Sequence, residues 1–527
     1  MSLDQFTSSI TTGYTCKGDF ITLGGAMLDG HAVPGLQVNI PLKTLNRHGL
    51  IAGATGTGKT KTLQGIAEAL SAKGVPSLLM DIKGDLSGLA AAGSRHPKIE
   101  ERHTAIGLPW TAHAFPVELL TLSGEKGTRL RATVSEFGPV LFSRILGLND
   151  TQGGVVSLVF KYCDDHGMPL LDLKDFKKTL HYLTNDGKKE IEADYGRIST
   201  ASSSTILRKI LELEQQGADI FFGEISFDPD DLLRVDENGY GYLSILRLTD
   251  IQDKPKMFST FMLNLLAEIY ATFPEEGDLD QPKLVLFIDE AHLIFNEASK
   301  ALLEQIETIV RLIRSKGVGV FFCTQQPTDV PDNVLAQLGL KVQHGLRAFT
   351  AKDRKMIKTV SENYPLSDFY QTNELLTHLG IGEALITGLN EKGIPTPLVH
   401  TLLSAPRSRM DILTADELDA VVQKSQIAKH YNQVIDSLSA HEMLTEKLEE
   451  SRKPPIIIRK PGPETETRSE STTPGNKREK QGRSIVEDVA GSTVGREVMR
   501  TVTRELTRGL LGVLGISSTR RRKSKWF

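Results

Sequence analysis

The 527 residues carry a net charge of −4, with 39% hydrophobic and 24% charged residues. That is the composition of an ordinary globular chain of about three domains and not of a polycation, so any nucleic-acid surface must be local. No apolar run reaches the length of about 18 residues that a membrane span needs.

The first residues, MSLDQFTSSI, lack the basic-then-apolar layout of a secretory leader. Cys16, Cys163 and Cys323 are odd in number and far apart. They make neither a zinc site nor a disulfide framework and fit a reducing compartment, so a cytoplasmic protein is expected. Residues 1–46 read as short strands and turns, Phe20 to Gly25 and then Gly35 to Ile40, a short β-rich cap on the core.

Residues 47–100 hold the first part of an α/β core. His48 to Ala52 is a mainly apolar run fit for a buried strand, and it leads into Gly53-Ala54-Thr55-Gly56-Thr57-Gly58-Lys59-Thr60, followed by Lys61. The spelling G-x-x-x-x-G-K-[ST] is the phosphate-binding P-loop (Walker A). Its glycines let backbone N–H groups point inward at phosphate oxygens, its lysine reaches the β/γ-phosphates, and its threonine hydroxyl ligates Mg²⁺. Leu63, Ile66, Ala67 and Leu70 then fall on one helical face, and the helix N-terminus favours the anion as well. The stretch Gly53 to Lys61 is therefore expected to bind ATP, with Thr60 on Mg²⁺. A second strand, Val75 to Asp81, ends in Asp81-Ile82-Lys83-Gly84-Asp85. These carboxylates either face the ligand side of an open α/β sheet or serve the geometry of a turn, with Asp81 favoured for function.

Residues 101–236 read as a helical insertion, with Leu158, Val159 and Tyr162 on one helical face and Ile206, Ile210 and Leu213 on another. Arg129, Arg131, Lys177, Lys178, Lys188, Lys189, Arg208 and Lys209 recur there, and solvated helix faces account for them as readily as a nucleic-acid surface does.

Residues 237–405 return to α/β. Lys283 to Ile288 is a buried strand ending in Asp289 and Glu290, the Walker B pattern, in which Asp289 holds Mg²⁺ and Glu290 polarises the attacking water. A helix over residues 300–315 carries Arg311 and Arg314 at its end. The strand Val318 to Cys323 is tipped by Thr324-Gln325-Gln326, and Gln325 is placed to face the γ-phosphate. Arg347 follows the strand Lys341 to Leu346. P-loop catalysis is largely electrostatic, and an arginine from a neighbouring subunit contributes about 10³–10⁵ in rate where one is used. The P-loop itself contains no arginine, so Arg314 and Arg347 are the candidates for that role, ahead of Arg311.

Residues 406–450 read as amphipathic helices, and residues 451–483 as a disordered linker rich in Pro, Glu, Lys, Arg, Ser and Thr. In 484–527, Val494, Val498, Val502, Leu506, Leu510 and Leu514 recur every four residues, as do Arg496, Arg500, Arg504 and Arg508. A four-residue step drifts about 40° per repeat on a helix, so both stripes wind round it. Such a helix either packs on its own core or binds a partner protein, an anionic membrane or DNA.

Taken together, Arg47 to Ala52 leading into the P-loop, Asp81-Ile82-Lys83-Gly84-Asp85-Leu86, Phe287-Ile288-Asp289-Glu290-Ala291-His292-Leu293, Arg314 to Val320 and Leu346-Arg347-Ala348-Phe349 resemble the HerA–FtsK superfamily of P-loop motor ATPases, and within it the bacterial YjgR-like branch. These motifs span residues 47–350. The resemblance implies a RecA-like P-loop NTPase core, a hexameric ring and pumping of DNA, whereas ATP hydrolysis follows from the residues themselves. HerA proper carries a fuller N-terminal β-barrel than the 46 residues here. Three function classes stand at this point: an ATP-driven DNA translocase, an ATP-gated assembly or scaffold protein that recruits a partner through its C-terminal tail, and, least favoured, a protein-remodelling ATPase. Deleting residues 484–527 should alter oligomer size, liposome binding or DNA binding. Sizing and co-sedimentation check this, and no change in any of them would mean that the helix packs on its own core.

Overall fold

The computed structural model describes residues 2–250, 254–277, 279–297, 300–435 and 437–452. The linker beyond residue 452 and the tail 484–527 lie outside the described residues. Among those described, no helix is long and apolar enough to cross a membrane.

The strands are β1 (Phe20–Leu28), β2 (His31–Pro41), β3 (Gly49–Ala52), β4 (Ser77–Asp81), β5 (Val117–Thr121), β6 (Thr128–Arg129), β7 (Leu243–Arg247), β8 (Leu284–Ile288), β9 (Val318–Thr324), β10 (Leu340–Gln343), β11 (Glu383–Thr387) and β12 (Val399–Leu403). They form one 12-stranded sheet in the order β2-β1-β12-β11-β10-β3-β9-β8-β4-β7-β5-β6. From β10 to β6 every neighbouring pair is parallel. From β10 to β2 every pair is antiparallel. In the parallel half, β9 lies between β3, which enters the P-loop, and the acid-tipped β8. The local order β10-β3-β9-β8-β4 is that of a RecA-like P-loop NTPase core.

Side-chain alternation assigns the layers. Leu284, Leu286 and Ile288 of β8 face one apolar core together with Leu50, Leu78, Met80, Val320 and Phe322. Val285 and Phe287 face the other, with Ile51, Leu79, Phe321 and the P-loop helix residues Leu63, Ile66 and Leu70. The parallel strands are buried on both faces, which is why they read as continuous apolar runs.

The helices Val134–Ile145, Asp150–Asp165 and Leu173–Thr184 extend the first core through Phe137, Phe142, Phe160 and Phe176, joined by Thr200–Glu214 and by Phe221 and Phe222 at the end of the short helix Ala218–Phe221. Val159, Tyr162, Ile206, Ile210 and Leu213 are buried there, as their periodicity predicts.

Two local features differ from the sequence reading. Residues 1–46 begin with a helix, Leu3–Tyr14, that buries Phe6, Ile10 and Tyr14. Its start is set by a capping box in which Ser2 and Gln5 each accept from the other's backbone. Residues 101–236 are not helical throughout, because β5 and β6 add to the parallel edge. Glu118 hides that strand: it is an acid inside an apolar run, and it is 2% exposed. Arg234 Nη2 at 3.0 Å and the Thr128 hydroxyl at 2.9 Å satisfy it.

Close approach fixes one glycine in the strand that delivers the P-loop. A Cβ on Gly49 would meet the Phe321 ring at 2.4 Å. Gly49→Ala should therefore destabilise the core by about 1–3 kcal/mol, read as a lower denaturation midpoint in urea with nucleotide-free protein.

Candidate functional site

Parallel pairing brings the carboxyl ends of β3, β9, β8 and β4 to one edge, with Ala52 beside Thr324, Phe322 beside Ile288 and Ile288 beside Met80. The P-loop leaves β3 there. Gly53, Gly56 and Gly58 have φ of 152°, 80° and 110°, backbone that L side chains rarely adopt. At Gly53 the space is closed as well, since a Cβ would lie 2.5 Å from His344 Cβ.

The loop is held from behind by main chain. Gly53 N–H donates to Thr324 O (3.3 Å), Ala54 N–H to Gly345 O (2.9 Å) and Gly382 N–H to Thr57 O (3.0 Å). Arg102 in turn pins residues 381–382, donating to the carbonyls of Ile381, Gly382 and Leu403. The helix Lys59–Ser71 has Gly58 at its N-cap and no side-chain cap, which leaves its first N–H groups to an anion.

Lys59 is 8% exposed, and its ammonium donates to the carbonyls of Gly53 (2.7 Å) and Ala54 (3.2 Å). Burial and the nearby Lys83 charge lower its pKa. Ala54 and Thr60 are half-buried, and Thr55 and Gly56 are exposed at the loop crest. Thr57 closes the loop, its hydroxyl donating to Ala54 O at 2.7 Å. The Lys61 side chain turns away from the loop, donating to Met410 O (2.7 Å) and Gln64 Oε1 (3.1 Å).

Asp289 and Glu290 follow the fully buried β8 and are 4% and 5% exposed. Burial, reinforced by the Glu290 charge, pushes Asp289 up to about 7. Burial also pushes Glu290 up, but its ion pair with Lys83 and the charges of His292 and Lys59 outweigh that and leave it below the usual range.

Asp81 is not free for a ligand. Its carboxylate accepts the N–H groups of Gly84 (2.7 Å), Asp85 (3.1 Å) and Leu86 (3.1 Å). The turn reading holds for it, and burial sets its pKa at about 6 against those bonds.

Gln325 is exposed one residue past β9, while Thr324 beside it is buried and hydrogen-bonded to Asp329. The arginines separate. Arg347 is exposed beyond the carboxyl end of β10, on the P-loop side. Arg314, also exposed, precedes β9 at the amino edge, about 20 Å away by strand length. Arg311 lies near that same edge at the end of the helix Lys300–Ile313.

Two groups at the site have no role assignable from sequence. For Lys83 the one signal is its place within Asp81-Ile82-Lys83-Gly84-Asp85. For His344 there is none. It is fully buried under the loop with Nε2 2.9 Å from the Thr62 hydroxyl, and burial, with the Lys59 charge, pushes it down to about 4.

The oxygen donors Thr60 and Asp289 suit Mg²⁺, which keeps phosphate and water ligands. No group of three or more His, Cys, Asp or Glu among the described residues could hold a metal unaided. The arrangement can thus anchor a polyphosphate on Lys59 and the loop N–H groups, with a carboxylate at hand for water. Lys59→Ala should weaken nucleotide binding. Glu290→Gln should retain binding and lower turnover by about 10²–10⁴; fluorescent-nucleotide titration and phosphate release check both.

Residues 27–522 match the family described as Helicase HerA-like C-terminal. A protein named DNA double-strand break repair helicase HerA from Sulfolobus acidocaldarius is 22% identical over 372 residues, covering 68% of this chain and 66% of the relative. Its namesake from Sulfurisphaera tokodaii is 23% identical over 365 residues, covering 67% and 64%. The chain therefore spans just under two thirds of the length of these curated relatives. Among solved structures, plasmid coupling protein TrwB in complex with ADP and Mg²⁺ is 16% identical with TM-score 0.47, covering 76% of this chain and 98% of that one. VirB4 of Thermoanaerobacter pseudethanolicus is 16% identical with TM-score 0.46, covering 75% and 98%.

Proposed function

The chain belongs to the Helicase HerA-like C-terminal family, and from that membership we propose that it is a cytoplasmic, Mg²⁺-dependent ATPase that works on DNA as a ring of its own copies, a hexamer by family resemblance. Lys59 and the loop N–H groups bind the phosphates, Thr60 and Asp289 hold the cation, and Glu290 orients and polarises the water. Mg²⁺, when bound, offsets charge on the phosphate oxygens as the γ-phosphoryl group leaves.

One surface carries the reading towards nucleic acid. The helix Ala351–Glu362 begins just past β10 on the P-loop side and exposes Lys352, Arg354, Lys355 and Lys358. None of these makes an ion pair among the described residues. The nearby acid Asp353 is occupied, accepting the N–H groups of Phe349 (3.0 Å) and Thr350 (2.8 Å). Phe349 stands 80% exposed beside them. Unpaired cations next to an exposed aromatic ring fit a phosphate backbone and a base face.

DNA should stimulate phosphate release by the full chain, and binding should weaken steeply with salt. Replacing Lys352, Lys355 and Lys358 by alanine should lower DNA affinity and reduce the salt slope by about one for each phosphate no longer neutralised. An ATPase indifferent to DNA would instead favour the ATP-gated assembly protein.

Arg347 is the better placed of the candidate arginines to reach phosphates held by a neighbouring copy. Arg347→Ala should lose turnover with nucleotide affinity near normal. Mixing it with Lys59→Ala subunits should restore activity, because some interfaces then pair an intact P-loop with an intact arginine. Absence of rescue in rings shown to be mixed would remove Arg347 from this role.

A further inference from the structure

The turn after β4 is built to present Lys83. With Asp81 accepting three backbone N–H groups and Gly84 at φ 77°, the backbone around residue 83 is fixed. The strand β4 neighbours β8, and from this turn the Lys83 ammonium reaches over the tip of β8 to pair with Glu290 Oε1.

The pair is lopsided. The Lys83 side chain is 42% exposed and that of Glu290 7%, so the glutamate is the seated partner and the lysine the movable one, on a flexible four-carbon stem. Glu290 has φ 47°, the left-handed region that a glutamate seldom occupies, and such outliers persist where the surroundings impose them. Its second oxygen, Oε2, is buried without a hydrogen bond, with His292 Nδ1 at 3.3 Å. The charges of Lys59, on the P-loop, and of Lys83, on the β4 turn, both act on Asp289 and Glu290.

We propose that Lys83 is a γ-phosphate-responsive latch on Glu290. With a diphosphate or no nucleotide, Lys83 holds Oε1. When a triphosphate binds, Lys83 transfers to a γ-phosphate oxygen and leaves Oε1 to accept a proton of the attacking water. A carboxylate oxygen held by an ammonium is a poor acceptor for water, and the terminal phosphate carries more negative charge than the glutamate. No covalent bond changes in the exchange. The latch keeps the glutamate from activating water unless a γ-phosphate is present, and it rests on the ATP-hydrolysing reading of this site.

The test compares two probes on the full chain, fluorescent ADP and adenylyl imidodiphosphate, each with Mg²⁺. Lys83→Ala should leave ADP affinity within about twofold and weaken the triphosphate analogue by about tenfold or more, the scale of one charge-assisted hydrogen bond. Lys83→Arg should recover most of that difference. Lys83→Gln keeps the stem without the charge and reads the same difference if the alanine variant does not fold. A merely structural lysine would change both affinities equally or neither, and either result overturns the latch while the ATPase reading stands. A parent chain that binds neither nucleotide would remove both.

Discussion

The site depends on the parallel register of β3, β9, β8 and β4. Pairing Ile51 with Cys323, Phe287 with Phe321 and Leu79 with Phe287 sends all four carboxyl ends to one edge. The P-loop, Thr324, the acid pair and the Asp81 turn therefore meet without any long loop. A slip of one residue would invert which side chains face each core. Every residue of β8 is apolar and buried, so its register is held by the fit of individual side chains in the two cores.

The same burial makes the site electrostatically costly. Asp289, Glu290 and Lys59 are each less than a tenth exposed, in a region where an unpaired charge is expensive. The protein divides the charge unevenly. Glu290 is paired with Lys83 and held below the usual range, while burial and the Glu290 charge push Asp289 up to about 7 in spite of Lys83. A carboxyl in that condition is the group a divalent ion would ionise.

The antiparallel half of the sheet helps to hold the P-loop from behind. The strands β11 and β12 come from late in the chain, yet the residue before β11 bonds directly to Thr57. Arg102, from a helix following β4, locks that residue in place. On the other face of the P-loop helix, Gln64 and Glu68 bond to residues 407–409, so the segment leading to the C-terminal helices is fastened to the element that begins at the phosphate loop.

Family membership, the RecA-like core and the residues proposed for phosphate and water chemistry were legible in the sequence because each rests on a local rule. Glycine spacing determines where N–H groups converge, and an apolar strand ending in acids places those acids at a sheet edge whatever the rest of the chain does. The amino-terminal helix was missed: residues 1–46 read as strands and turns, although Ser2 and Gln5 form a capping box and Phe6, Ile10 and Tyr14 fall on its buried face. Contacts between residues remote in sequence were decided only by the tertiary structure. Glu118 can occupy a buried strand because the remote Arg234 meets it there, alongside the Thr128 hydroxyl. Arg314 and Arg347 look alike beside their strands, yet one precedes its strand and the other follows it, and parallel pairing sends them to opposite edges. Lys83 became a partner of Glu290 because β4 and β8 are neighbours, a fact set by packing across the sheet and not by any spacing along the chain.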